Sequence, residues 1–254
     1  MYPFLPEFFG IKIPLYGIMT ALGYIAGIIY CIKNRERLKI SKDDIFDIVF
    51  YIFLGAIIGG KLLYILFYWH DFIAAAPFDK IRYGFVFLGG FIGAVIAGVY
   101  ILRKKKIPLL KGADFFAVPV PLGHAIGKIG CFLAGCCYGK VSQNFLSVKF
   151  SNPQCLVPQH LHGIGLYPVQ LIESALSLIL FFVLHKLYRR KHFDGAIIAA
   201  FMTGFGILRF LAEFFRGEDE IYILGITQTQ ITALFVILAG LGIFWWSKKY
   251  GAKK

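Results

Sequence analysis

The chain has 254 residues, of which 58% are hydrophobic and only 16% charged, with a mean hydropathy of +0.71. This composition excludes an ordinary soluble domain and points to an all-α polytopic membrane protein, with room for about seven spans of about 20 residues. The formal charge of +13 invites a nucleic-acid reading, but 18 of the 27 Lys and Arg fall in four clusters, Lys33–Lys42, Arg103–Lys111, Lys186–Lys191 and Lys248–Lys254. Basic segments beside apolar runs mark cytoplasmic loops, so the charge sets topology and nucleic acid is excluded as a partner.

The apolar runs in chain order are 13–32, 45–68, 84–102, 112–136, 167–185, 195–215 and 226–246. No basic stretch precedes the first and no small-residue cleavage site follows it, so it is expected to stay in the mature protein. The basic clusters follow the first, third, fifth and seventh runs, which predicts seven transmembrane helices, the N-terminus outside and the C-terminus cytoplasmic. Trp245 and Trp246 fit an interfacial belt. One transmembrane domain, 1–254, is expected, with an extracytoplasmic loop at about 137–166. Two shorter outer segments follow from the same topology: 69–83, ending in Asp79, Lys80 and Arg82, and a tight polar turn at 216–225.

The fourth run carries GHAIGKIGCFLAGCCYGK, from Gly123 to Lys140. At helical spacing His124, Lys128, Cys131 and Gly135 share one face, and a cation there is too costly to point at lipid. The topology places Lys128 and Cys131 in the outer half of span four, and Arg209, Glu213 and Arg216 on one face at the outer end of span six. Gln170 and Glu173 fall in the first outer turns of span five. Gln230 begins span seven, Lys61 and Tyr64 end span two, and Tyr16 begins span one. The plain alternative is a packing network of ion pairs, Arg209–Glu213 and Lys128–Glu173. The functional reading is a cavity open to the outer leaflet. Its cations outnumber its acids, and its arginine forks suit the phosphate of a phospholipid.

These residues, in this order, resemble the bacterial prolipoprotein diacylglyceryl transferases. The resemblance runs through PLYGIM (Tyr16), GGKLLYILFY (Lys61, Tyr64), FLGGFIG (Gly89, Gly90), the Gly123–Gly139 stretch, YPVQLIES (Gln170, Glu173), GFGILRFLAEFFRG and Gln230. It implies transfer of the diacylglyceryl group of phosphatidylglycerol to the lipobox cysteine of a prolipoprotein, in lipoprotein biosynthesis. The partners implied are phosphatidylglycerol, the prolipoprotein signal peptide and membrane lipids. The location implied is the bacterial inner (plasma) membrane, with the site facing the outer leaflet and the periplasmic or extracellular side. No cofactor is implied, because the phosphodiester is already an activated donor.

On this resemblance Arg209 and Lys128 hold the phosphate, Glu213 orients Arg209, Tyr16 and Gln170 orient the head group, and Glu173 shapes the pocket. Lys61, Tyr64, Gly89, Gly90, Cys131, Gly139, Arg216 and Gln230 complete the substrate-binding set. The acceptor has to react as a thiolate, since a free thiol is mostly protonated at neutral pH. The chain departs from the family at five positions. Leu88 stands where the family has a histidine before the paired glycines, and Cys131 and Cys136 stand where it has asparagine and glutamate. Lys61 and Lys128 replace arginines, keeping the charge without the fork. His124, one turn before Lys128, is a candidate replacement base.

Cys131, Cys136, Cys137 and Cys155 are expected on the outer side, where a bridge from Cys136 or Cys137 to Cys155 would tether the long loop. A metal set of Cys136, Cys137, His160 and His162 matches no standard zinc spacing, and no metal is assigned. Three alternatives stand beside the transferase: a divergent member of the family with a different thiol acceptor, a thiol–disulfide membrane protein centred on the span-four cysteines, and a lipid or small-anion carrier. The carrier is disfavoured because transporter sites gather near the bilayer midplane.

Overall fold

A computed structural model describes residues 2–6, 12–74, 84–217, 222–223 and 225–250. Asp79, Lys80 and Arg82, the acidic part of segment 216–225 and the last two lysines of the C-terminal cluster lie outside the described residues.

The protein is mostly helical. Among the described residues six stretches are long and apolar enough to cross a bilayer: Leu15–Arg37, Lys42–Phe67, Leu109–Ala134, Val169–Arg189, Ala196–Glu213 and Gln228–Tyr250. The predicted third run is an 18-residue helix, Phe87–Lys104. In chain order the helices are α1 (Leu15–Asn34), α2 (Lys42–Phe67), α3 (Trp69–Ala74), α4 (Phe87–Lys104), α5 (Leu109–Ala117), α6 (Val120–Ala134), α7 (Val169–Arg189), α8 (Ala196–Glu213) and α9 (Gln228–Tyr250). The fourth apolar run is therefore two helices. Pro119 and Pro121 supply no backbone N–H, so the ladder is interrupted and restarts with Pro119 as the cap of α6. Large apolar side chains point outward, with Phe182 59%, Leu238 63% and Phe235 68% exposed. A surface of that kind calls for lipid rather than water.

The all-α expectation needs one correction. Two short antiparallel pairs are present, β1 (Val148–Lys149) with β2 (Gly165–Leu166), and β3 (Tyr222–Ile223) with β4 (Ile226–Thr227). The 137–166 segment is too interrupted by proline and glycine to form a helix, yet its backbone groups still need partners. A two-residue ladder over a small core of Phe150, Cys155, Val157 and Leu166 meets that need.

The chain divides into two compact units. The smaller, 31–112, is built on α2 and α4. Ser41 and Asp44 form a reciprocal capping box at the start of α2, each backbone amide donating 3.0 Å to the other's side chain. Gly55 and Gly59 on α2 face Gly89 and Gly93 on α4, two small-xxx-small pairs that bring the backbones together. A Cβ on Gly93 would stand 2.1 Å from the Gly55 carbonyl oxygen, and one on Gly59 would stand 2.3 Å from that of Gly89.

The larger unit, 1–30 and 113–254, packs α6 on α7, α7 on α8 and α8 on α9. Gly23 in α1 meets the Gly123 backbone of α6, where a Cβ would lie 2.7 Å from its carbonyl oxygen. The buried Asp114 of α5 caps α8 from a distance in sequence. Its carboxylate accepts from the amides of Gly195 (2.8 Å), Ile197 (3.0 Å) and Ile198 (2.9 Å).

Candidate active site

The last turns of α6, the first turns of α7 and the C-terminal end of α8 each bring ionic side chains to one buried cluster. Glu173, with no exposed surface, receives Arg209 on Oε1 and Lys128 on Oε2. Arg209 Nη2 also lies 3.7 Å from Glu213 Oε2, and Arg216 Nε lies 3.9 Å from the same oxygen. Three cations thus share two carboxylates inside the protein, and the cluster carries one surplus positive charge. Breaking such a buried pair by removing one partner typically costs about 3–5 kcal/mol, so the arrangement is rigidly held.

Gln170, one turn before Glu173, donates from Nε2 to the Cys136 carbonyl at 2.8 Å. Its Oε1 is buried with no hydrogen-bond partner among the described residues. Gly130 has no side chain and so lets α1 approach, since a Cβ there would be 2.9 Å from that of Met19 and 3.2 Å from the Cα of Tyr16. Tyr16 and Cys136 then line an open cavity of about 240 Å³ together with Pro3, Pro14, Ala134 and Leu156.

Cys131, Cys136 and Cys137 come together, each Sγ within 4.8 Å of the others. All five cysteines are free thiols. Hydrogen bonds from Cys131 and Cys136 pull the Cys137 thiol below its ordinary range, with Lys128 and Arg216 adding to the effect, and Cys136 is correspondingly held up. Cys155 sits in the small loop core, packed against Gly135, and burial pushes its thiol up.

Other residues singled out from sequence have structural duties. His124 bonds Ser177 Oγ through Nδ1 at 2.8 Å and sits edge-on to Phe205, with ring centroids 5.0 Å apart. Gln230 completes a capping box with Thr227 at the head of α9, and each backbone amide donates 3.1 Å to the other's side chain. Gly139 pairs with Arg216 in a backbone bridge, and a Cβ on it would be 2.5 Å from the Tyr167 carbonyl. That bridge positions Arg216 beside Glu213. His162 donates from Nε2 to the Val157 carbonyl at 2.9 Å.

In the 31–112 unit, Lys61 Nζ donates to the Gly84 carbonyl at 3.3 Å and lies over the rings of Phe85 (4.9 Å) and Tyr64 (5.3 Å). With Ile57, Ile58, Leu62, Ile65 and Phe72 it borders an apolar groove of about 460 Å³. Gly89 faces the backbone of α2, and Leu88 is 56% exposed. Sequence reading missed Asp114, Ser174 and Ser177. Ser174 donates to the Ala125 carbonyl at 2.7 Å, tying α7 to α6. Only Asp114 left a signal, a lone acid inside an apolar run.

A family model described as prolipoprotein diacylglyceryl transferase matches residues 3–246. The chain belongs to that family. A relative from Clostridium tetani named phosphatidylglycerol–prolipoprotein diacylglyceryl transferase is 34% identical, covering 96% of this chain and 97% of its own. Relatives of the same name from Geobacter sulfurreducens (35% identical, 80% of this chain and 78% of theirs) and Burkholderia cenocepacia (34%, 91% and 90%) are also similar. As a member of this transferase family, the chain presents its ionic cluster, its three cysteines and its cavity at the ends of the same helices.

Proposed function

We propose that this enzyme transfers the diacylglyceryl group of phosphatidylglycerol to a cysteine thiol of a prolipoprotein, yielding a thioether and glycerol phosphate. The observation that carries this reading is the buried surplus charge of Lys128, Arg209 and Arg216 over Glu173 and Glu213. A phosphodiester enters with one negative charge and leaves as a monoester with nearly two. A preformed cationic site favours that change because its groups need no reorganisation as the charge develops.

In this mechanism Arg209 and Lys128 hold the phosphate, Glu173 and Glu213 fix their positions, and Arg216 adds charge. Gln170 Oε1 accepts from a head-group hydroxyl, and Tyr16 guides a chain through the neighbouring cavity. The thiolate attacks the glyceryl CH₂, and the C–O bond breaks with its electron pair going to the phosphate. Lys61 and its apolar groove suit a second contact with lipid.

The basic clusters support seven spans, with α4 the third, an outside N-terminus and a cytoplasmic C-terminus. The ionic cluster then lies under the outer leaflet of the bacterial inner membrane, at the periplasmic or extracellular side. Purified protein given labelled phosphatidylglycerol and a lipobox peptide is expected to form the thioether. Binding of the lipid without product rejects this acceptor.

A further inference from the structure

Three cysteines converge beside the proposed transfer site, and the mechanism above gives them no task. The fold holds them there at a cost. After α6 ends at Ala134, Gly135 turns left-handed (φ +78°), and the amides of Gly135 and Cys136 both return to the Cys131 carbonyl, at 2.9 and 3.2 Å. Cys137 is left-handed as well (φ +55°), a conformation that disfavours a residue with a side chain by about 1–2 kcal/mol. This double turn brings the three Sγ atoms within 4.8 Å of one another. Three thiolates around one zinc ion, with Zn–S about 2.3 Å, stand about 3.8 Å apart, so closure needs a movement of about 1 Å or less.

Access also fits. Cys136 lines the cavity of about 240 Å³, so a fourth ligand has a route in. The chemistry has a vacancy of the same kind. The acceptor thiol must lose its proton, Leu88 cannot take it, and His124 is occupied by Ser177.

We propose that Cys131, Cys136 and Cys137 hold one zinc ion through three thiolates and that its fourth position takes the acceptor cysteine of the substrate. Three protein ligands with one open position are the catalytic form of a zinc site. A thiol bound to zinc is deprotonated outright. This role rests on the transferase reading. The acceptor S–H gives its proton to water as the Zn–S bond forms. The sulfur then bonds to the glyceryl CH₂ while the C–O bond to phosphate breaks, its electron pair leaving with glycerol phosphate. No atom changes oxidation state, and the thioether, a weaker ligand, departs.

Elemental analysis of the full chain purified in detergent is expected to find about one zinc per chain. Cys131→Ser and Cys136→Ser should each remove nearly all of it, and Cys155→Ala should keep it. Cobalt exchanged for zinc should give a sulfur-to-metal charge-transfer band, which a lipobox peptide shifts and its Cys→Ser counterpart does not. Chelation should lower transfer by about 10²-fold or more, with recovery on adding zinc. Full transfer by metal-free protein overturns the inference and leaves the transferase intact. A cobalt band indifferent to the peptide overturns the fourth-ligand role. A peptide-sensitive band with no transfer from phosphatidylglycerol upholds the site and rejects the transferase reading. A disulfide between two of the three cysteines in active protein overturns the site, and tolerance of Arg209→Ala then identifies a thiol–disulfide centre.

Discussion

Glu173 is the residue on which the ionic cluster turns, because it forms ion pairs with both Lys128 and Arg209 while fully buried. Glu173→Gln removes the shared counter-charge and should destabilise the protein by about 3–5 kcal/mol, measured as thermal unfolding in detergent. Unchanged unfolding would mean that the pairing adds nothing. Arg209→Ala leaves the helix intact but takes away the fork nearest Glu173. It should reduce kcat by about 10²–10³ in the transfer assay, and activity within a few-fold of the parent would reject its role at the phosphate. Lys128→Arg restores the family's fork while keeping the charge, so transfer should persist, whereas Lys128→Met should abolish it. His124→Ala should change transfer far less than either loss, since the ring is spent on Ser177 and Phe205.

Among the elements, two devices hold the helices where these side chains need them. Asp114 supplies three acceptor contacts to the first-turn amides at the head of α8, the helix that delivers Arg209 and Glu213. Asp114→Ala should cost about 2 kcal/mol, the upper range for a cap, and should raise backbone amide exchange in the first turn of α8. Exchange confined to the other end of α8 would show that the cap is not what holds it. In the 31–112 unit the glycine contacts between α2 and α4 leave no room for a side chain. Gly93→Val should destabilise by about 1–3 kcal/mol, seen as faster proteolysis within that unit. The reading of Gly89 as substrate-binding sits beside a packing duty that only the backbone contact reveals.

At the scale of the whole molecule the deciding property is the surplus positive charge that the larger unit buries among helices with apolar, exposed outer faces. Phosphatidylglycerol should protect the detergent-solubilised protein against heat more than phosphatidylethanolamine does, since only the former brings net negative charge to the surplus cation. Equal protection by both lipids would contradict the charge argument. A reporter fused after the last helix should be active only in the cytoplasmic form, as the basic clusters demand.

The sequence by itself determined the order of the apolar runs, the basic clusters between them and the expectation that Lys128, Glu173, Arg209 and Glu213 meet, which their ion pairs match. Helical periodicity and the cost of charge in lipid are local rules that can be read along one chain. Which partner each side chain takes is a matter of distances between segments far apart in sequence, and only the tertiary structure decided it. It gave Glu173 two cations, His124 a serine, Gln230 a cap and Gly89 a neighbouring backbone. It also split the fourth run at its prolines and folded Cys136 and Cys137 back onto Cys131, because a left-handed turn reverses a chain in a way that spacing along a helix cannot express.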